Sequence, residues 1–164
     1  VIPDPAAEYE RAMRHGDLRL PPLPVAWHQG SRNWTASILL DGAPEEATPR
    51  LVIRASAADW PAGNLSLIWR DVRVRGFDLA GPPHANLRGR MIPTPHQQWY
   101  DASGRQEVGG VDLAAEEIDG LESAARWFVK WCEIQGTLHW RQPPLQSRLP
   151  DLPAQLPRKQ RRRS

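Results

Sequence analysis

The chain has 164 residues, 40% of them apolar, with 21 basic and 19 acidic side chains and one cysteine, Cys132. That length carries one domain with a real core, not two, and a lone cysteine excludes an intrachain disulfide scaffold. The net charge of +2 is unevenly spread: residues 146–164 hold Arg148, Arg158, Lys159, Arg161, Arg162 and Arg163 against Asp151 alone, and residues 1–145 are net acidic. A domain that grips nucleic acid over its whole surface is basic in its folded part, so here the tail is the electrostatic accessory.

Taken in chain order, residues 5–15 predict a short helix. Asp4 is placed to cap it, Pro5 sits in its first turn and Gly16 ends it. Tyr9 and Met13, four apart, would dock on a core. Leu20-Pro-Pro-Leu-Pro24 reads as an extended spacer. Strands are expected at 25–28, 34–40 and 50–55, with turns at 30–33 and 60–64. A long fourth strand is expected at 65–75. The alternation of that strand changes phase near Arg70, as at a β-bulge or a change of face. Short strands are expected at 90–92 and 96–100, then a turn at Ser103-Gly104. The best helix runs from Leu121 to Ile134, with Leu121, Ala125, Phe128 and Cys132 on one stripe, Asp119 as cap and Gly136 past its end. Thr137–Trp140 reads as a last strand, and the proline and arginine content from Gln142 onward predicts disorder.

The expected fold is α+β: an antiparallel sheet of four to six strands, an N-terminal helix, and one long C-terminal helix packed across the sheet. Residues 1–24 form the helix and linker, 25–141 the domain, and 142–164 the tail. No apolar run approaches the ~20 residues of a membrane span. The first residues carry no basic-then-apolar leader pattern. A cytoplasmic protein without membrane contact is expected. The eight tryptophans outnumber the two Phe and two Tyr, so Trp is expected to fill core and boundary positions before it serves as a base-stacking platform.

The densest chemistry lies between residues 71 and 100. His84 and His96, on a segment rich in Gly and Pro, are the candidate acid and base for cleaving an RNA phosphodiester, with Tyr100 as a third catalytic candidate. Asp78 and Asn86 would orient them. Arg73, Arg75, Arg88 and Arg90 would hold the phosphate, joined by Arg158, Lys159, Arg161, Arg162 and Arg163 of the tail. His84, His96 and Asp78 are ligand types for zinc or iron, but the histidines lack H-x-H or H-x-x-x-H spacing and no cysteine cluster supports them. Neither a metal nor another cofactor is therefore expected. There is no P-loop, no G-x-G-x-x-G after a strand and no G-x-S-x-G elbow. The acidic segment 107–122 could either cover the arginine strand or stand in solvent.

The run Arg73-Val-Arg-Gly-Phe-Asp78, Gly81-Pro-Pro-His84-Ala-Asn86, Gly89 and Pro95-His96, followed by a helix ending in Phe128–Ile134, resembles a group of uncharacterised small bacterial proteins. Their pattern is an Arg/Asp strand, a G-P-x-H-x-N-P-x-G loop and a P-H-x-H-x-Y strand, and some relatives with similar loops look like toxins of toxin–antitoxin pairs. The likeness covers residues 65–135. Leu87 stands where the group has proline, and Gln98 stands where the second histidine of P-H-x-H would be. That second departure removes a candidate acid, base or ligand. The resemblance implies a bacterial or phage-borne accessory protein more than it implies an activity. Together with the residues above, the leading expectation is a bacterial or mobile-element accessory protein contacting nucleic acid, as a toxin-like metal-independent ribonuclease using His84 and His96. The alternative is a noncatalytic protein–protein interaction subunit of a bacterial defence or phage-related assembly. Its protein partner would be an antitoxin or a complex subunit.

Overall fold

The computed structural model describes residues 4–56, 63–100 and 105–144. The expected turns at 60–64 and 103–104 and the tail beyond 144 fall wholly or largely outside these residues. Helix α1, Pro5–His15, forms where its caps predict: the Asp4 side chain accepts from the Ala6 amide at 3.0 Å, and Gly16 closes the helix at φ 66°. Its inner face buries Ala6 and Tyr9, and the Tyr9 hydroxyl donates to the Cys132 carbonyl at 3.2 Å. The stretch read as a spacer lies on the domain. Leu18, Leu20 and Val25 are buried, and the amides of Arg19, Leu20 and Val25 bond to Asp41, Gln135 and His139.

Among the described residues, seven strands form one antiparallel sheet in the order β1-β2-β3-β4-β5-β8-β9. They are β1 His28–Gln29, β2 Asn33–Leu39, β3 Arg50–Ser56, β4 Gly63–Trp69, β5 Val72–Asp78, β8 His96–Tyr100 and β9 Gln106–Gly110. A separate hairpin pairs β6, His84–Ala85, with β7, Met91–Ile92. The sheet exceeds the expected four to six strands for two reasons. The single strand expected over 65–75 is two strands, reversed at Arg70 and Asp71 with φ of 47° and 61°. Such a turn usually carries Asn-Gly; here the Arg70–Glu8 and Arg50–Asp71 ion pairs brace it. The other addition, β9, has Val108 as its only strand-forming residue. Thr137–Trp140 makes only one isolated bridge, His139 to Pro24.

Helix α2 covers Leu121–Trp131 and stops short of Ile134, because Glu133 turns left-handed at φ 53°. Gly120 is its N-cap; Asp119 accepts from Ser123 Oγ at 2.6 Å instead. Leu121, Ala124, Ala125 and Phe128 are buried in one cluster with Leu51, Ile53, Leu65, Leu67 and Phe77. Among the described residues, no helix is long and apolar enough to cross a membrane. The described tryptophans serve packing: Trp69 is buried, Trp127 and Trp131 stack at 5.6 Å, and Trp27 meets Trp140 edge-on.

Register decides which side chains share a face, because side chains alternate along each strand. Ala36, Ile53, Leu65 and Phe77 form one cross-strand row, and all four are buried in the core shared with the helices. The next row along points the other way: Arg54, Asn64, Asp78 and His96. Beside it lie Ser66, Gly76, Gln98 and Val108. The pairing shifts between Leu67↔Arg75 and Ile68↔Arg73, which leaves Val74 as an extra residue in β5. This bulge puts Arg73 on the face of Gly76 and Asp78, and leaves Arg75 on the helix face.

Candidate functional site

The polar cluster on the second face is assembled by two adjacent strands and one hairpin. Asp78 pairs with His96 across β5 and β8, and Gln98 follows two residues later on the same face. The β6–β7 hairpin contacts β9 and brings His84 in from above. His96 is fully buried and Gln98 is 1% exposed, whereas Asp78 and His84 are half-buried.

The Gln98 amide nitrogen is the centre of the cluster. It lies 2.7 Å from Asp78 Oδ2, 2.9 Å from His96 Nε2 and 3.1 Å from His84 Nδ1. Asp78 Oδ2 is also 3.2 Å from His96 Nε2, and the two imidazole centroids are 4.9 Å apart. His96 Nδ1 faces the Pro93 carbonyl at 3.2 Å. The Pro93 carbonyl and the Asp78 carboxylate both only accept, at 3.2 Å from Nδ1 and Nε2; with the Gln98 amide donating toward Nε2 at 2.9 Å, the neutral ring carries its proton on Nδ1. Gln98 Oε1 is buried without a partner, an expensive state for an amide oxygen. Arg73 Nη2 reaches the other oxygen of Asp78 at 3.5 Å, and its guanidinium packs against Gly76. A Cβ at Gly76 would meet Arg73 Nη2 at 2.1 Å, so glycine makes the room that the arginine occupies.

The structure therefore brings together His84, His96, Asp78 and Arg73, four of the residues singled out in the sequence. Tyr100 is half-buried at the far end of β8, two residues beyond Gln98. Asn86 closes the hairpin: its Oδ1 accepts from the amides of Arg88 and Arg90 at 3.0 and 2.9 Å. Arg88 and Arg90 are exposed on that hairpin. Arg75 is elsewhere. It is buried on the helix face, ion-paired to Glu10, and its guanidinium lies 4.8 Å over the Tyr9 ring. The tail residues Arg158, Lys159, Arg161, Arg162 and Arg163 lie outside the described residues.

Three acidic groups of the 107–122 segment, Glu107, Asp112 and Glu116, have partners away from the arginine strand. Glu107 Oε1 accepts from the Leu87 and Val108 amides, Asp112 caps Ala114 and Ala115, and Glu116 accepts from the Trp127 indole. The partners of Arg73 and Arg75 are Asp78 and Glu10, not this segment. Cys132 is buried in the core, and desolvation pushes its thiol up to about 12, which removes it as a nucleophile.

Three residues of this face escape sequence reasoning. Gln98 reads as a lost histidine, yet it joins all three ligand-type side chains. Arg54 and Asn64 share the Asp78–His96 row, and with Arg32 and Gly81 they line a depression beside the cluster. Period-two alternation places Arg54 opposite to Ile53, but only the register across four strands aligns it with Asp78.

Neither a protein-family model, a curated protein nor a solved structure matches this chain. The functional reading therefore rests on its own residues.

Proposed function

We propose that the chain is an accessory protein of a bacterium or mobile element that contacts nucleic acid, and that it acts as a toxin-like ribonuclease at His84. One observation carries this reading: Arg54, Asn64, Asp78 and His96 form a single row on the face that His84 overhangs. Adjacent strands are about 4.8 Å apart, so Arg54 stands about 10 Å from Asp78, close enough for neighbouring phosphates of one strand to meet both the depression and the cluster. Arg54 and Arg32 are exposed and suit phosphate recognition.

In this reading His84 is the group that meets the substrate. Its Nδ1 faces the Gln98 amide at 3.1 Å, and the other ring nitrogen, Nε2, is free of the cluster to exchange a proton with substrate. RNA supplies its own nucleophile. The 2′-oxygen attacks the adjacent phosphorus and its proton passes to water. The bond to the 5′-oxygen breaks, and His84, acting as the imidazolium, gives its Nε2 proton to that leaving oxygen and is left as the neutral ring, which a proton from water recharges. No step calls for a metal. His96, fully buried, positions Asp78 and Gln98, and Arg73 holds Asp78 from the other side.

The alternative, a noncatalytic interaction subunit docking on an antitoxin or complex subunit, has one observation in its favour. His96 is buried against a loop carbonyl, as a histidine that merely ties down a proline-rich segment would be. An RNA-cleavage and RNA-binding assay across a salt series separates the two. It compares wild type, His84→Ala, Arg54→Ala and a chain ending at Gln142. Cleavage lost in His84→Ala and weakened in Arg54→Ala supports the ribonuclease. No cleavage, with weak binding that disappears on tail removal, supports the interaction subunit.

A further inference from the structure

Asp78 Oδ2, His84 Nδ1 and His96 Nε2 converge on one point, and with both rings neutral and the Gln98 amide nitrogen turned toward them all three are acceptors there. The carboxylate has no hydrogen to give, and the His96 proton is engaged at Pro93. The Gln98 amide stands among them with only two hydrogens for three acceptors. In that state Asp78 and His96 face each other lone pair to lone pair at 3.2 Å, a contact that a cation between them would relieve. Arg73 reaches only the other oxygen of Asp78, at 3.5 Å, and the buried oxygen of the same Gln98 side chain has no partner.

We propose that this cluster is a binding site for a borderline divalent transition-metal ion of the Zn2+ class, held by Asp78, His84, His96 and the side-chain oxygen of Gln98. Two imidazoles and a carboxylate are the donor set such ions favour. The donor atoms of Asp78, His84 and His96 lie within 4.8 Å of one another. Metal–ligand bonds of about 2.0–2.1 Å give a tetrahedron with edges of about 3.3 Å. The Asp78–His96 separation of 3.2 Å already has that length. His84, on its half-buried hairpin, closes the rest, at most about 1.5 Å. A half-turn of the Gln98 amide replaces Nε2 with Oε1 at the centre, which provides the fourth donor and ends the isolation of that oxygen; amide nitrogen and oxygen occupy nearly the same volume. His96 has the outer-shell feature of a metal-bound histidine, its distal nitrogen donating to a backbone carbonyl, which fixes the ring and its tautomer.

The ion would hold His84 by Nδ1 and leave Nε2–H outward. The inference concerns the cluster itself and does not depend on the nucleic-acid reading: a protein that binds the ion and cleaves nothing would uphold one and refute the other.

The test uses the full chain, stripped of metal with a chelator and titrated with Zn2+, with Mg2+ as control, reading calorimetric binding and the thermal midpoint. The expected result is one Zn2+ per chain and a raised midpoint, with Mg2+ inert. His84→Ala and the isosteric Asp78→Asn, each checked for native circular dichroism, should each weaken Zn2+ binding by about tenfold or more. No Zn2+ binding by wild type, equal binding by both variants, or an equal response to Mg2+ would overturn the proposal. If His84→Ala does not fold, Asp78→Asn alone decides, because it removes a charge and no volume.

Discussion

Asp78 on β5 and His96 on β8 face each other directly across the sheet, with Oδ2 and Nε2 3.2 Å apart, on the face turned away from both helices. The pair is where fold and chemistry join. The hydrogen-bonded ladder fixes its spacing, the hairpin that carries His84 covers it, and Gln98 ties the three side chains together.

Gly76→Ala should loosen this arrangement without unfolding the protein. The added methyl meets the far end of the Arg73 side chain at 2.1 Å, so the guanidinium swings away and Asp78 loses its ion pair. The pair is part-exposed, so the loss should be about 1 kcal/mol or less in urea denaturation. A loss several times larger would mean that Arg73 cannot move.

Glu8 should make stability depend on acid pH. Hydrogen bonds from Arg70 and the Trp69 indole hold its carboxyl below its ordinary value of 4.5. A depressed folded pKa contributes stability that is full above the unfolded value and lost as pH falls through the folded one. Wild type should therefore lose stability relative to Glu8→Gln from about pH 5 downward, and the two curves should converge in strong acid. Parallel curves from pH 7 to pH 2 would remove Glu8 from the account.

Cys132 should be silent in the native protein. Its thiol is fully buried and pushed up to about 12. Reaction with a thiol reagent at pH 8 should wait on unfolding and become immediate in denaturant. Fast native labelling would contradict the packing of α1 against the end of α2. The same junction is tested by Tyr9→Phe, which strands the buried Cys132 carbonyl and should cost about 1–2 kcal/mol.

The tail should act through charge alone. A chain ending at Gln142 loses Arg148, Arg158, Lys159, Arg161, Arg162 and Arg163. If all six meet phosphates, the salt dependence of single-stranded RNA binding should flatten by up to about 4 in log–log slope. An unchanged slope would confine RNA contact to the folded domain.

The helices were legible because their signals are local. Asp4, Pro5 and Gly16 bound α1, and the apolar stripe from Leu121 to Phe128 marks α2. The sheet was legible in class but not in count. A reversal at Arg70-Asp71 has no Gly or Asn to announce it, and its support comes from Glu8 and Arg50, distant in sequence. β6, His84–Ala85, is only a two-residue strand, and β9, Gln106–Gly110, contains two glycines. That His84 and His96 belong to one site follows from their place on one Gly- and Pro-rich segment. The fate of the arginines does not. Arg73 and Arg75 are two apart and read as one face, but the extra residue Val74 sends them to opposite faces, one to Asp78 and one to Glu10. Gln98 was legible only as a departure from a histidine pattern, because its importance lies in three contacts from three different elements.

The central claim, that His84 delivers a proton to a leaving 5′-oxygen, is tested most directly by the ends of the RNA products. Wild type should yield 2′,3′-cyclic phosphate and 5′-hydroxyl termini, and His84→Ala should lose activity by about 10²–10⁴-fold, the usual contribution of a positioned acid or base. Cleavage by His84→Ala at the wild-type rate, or no cleavage by wild type on any RNA, would contradict it.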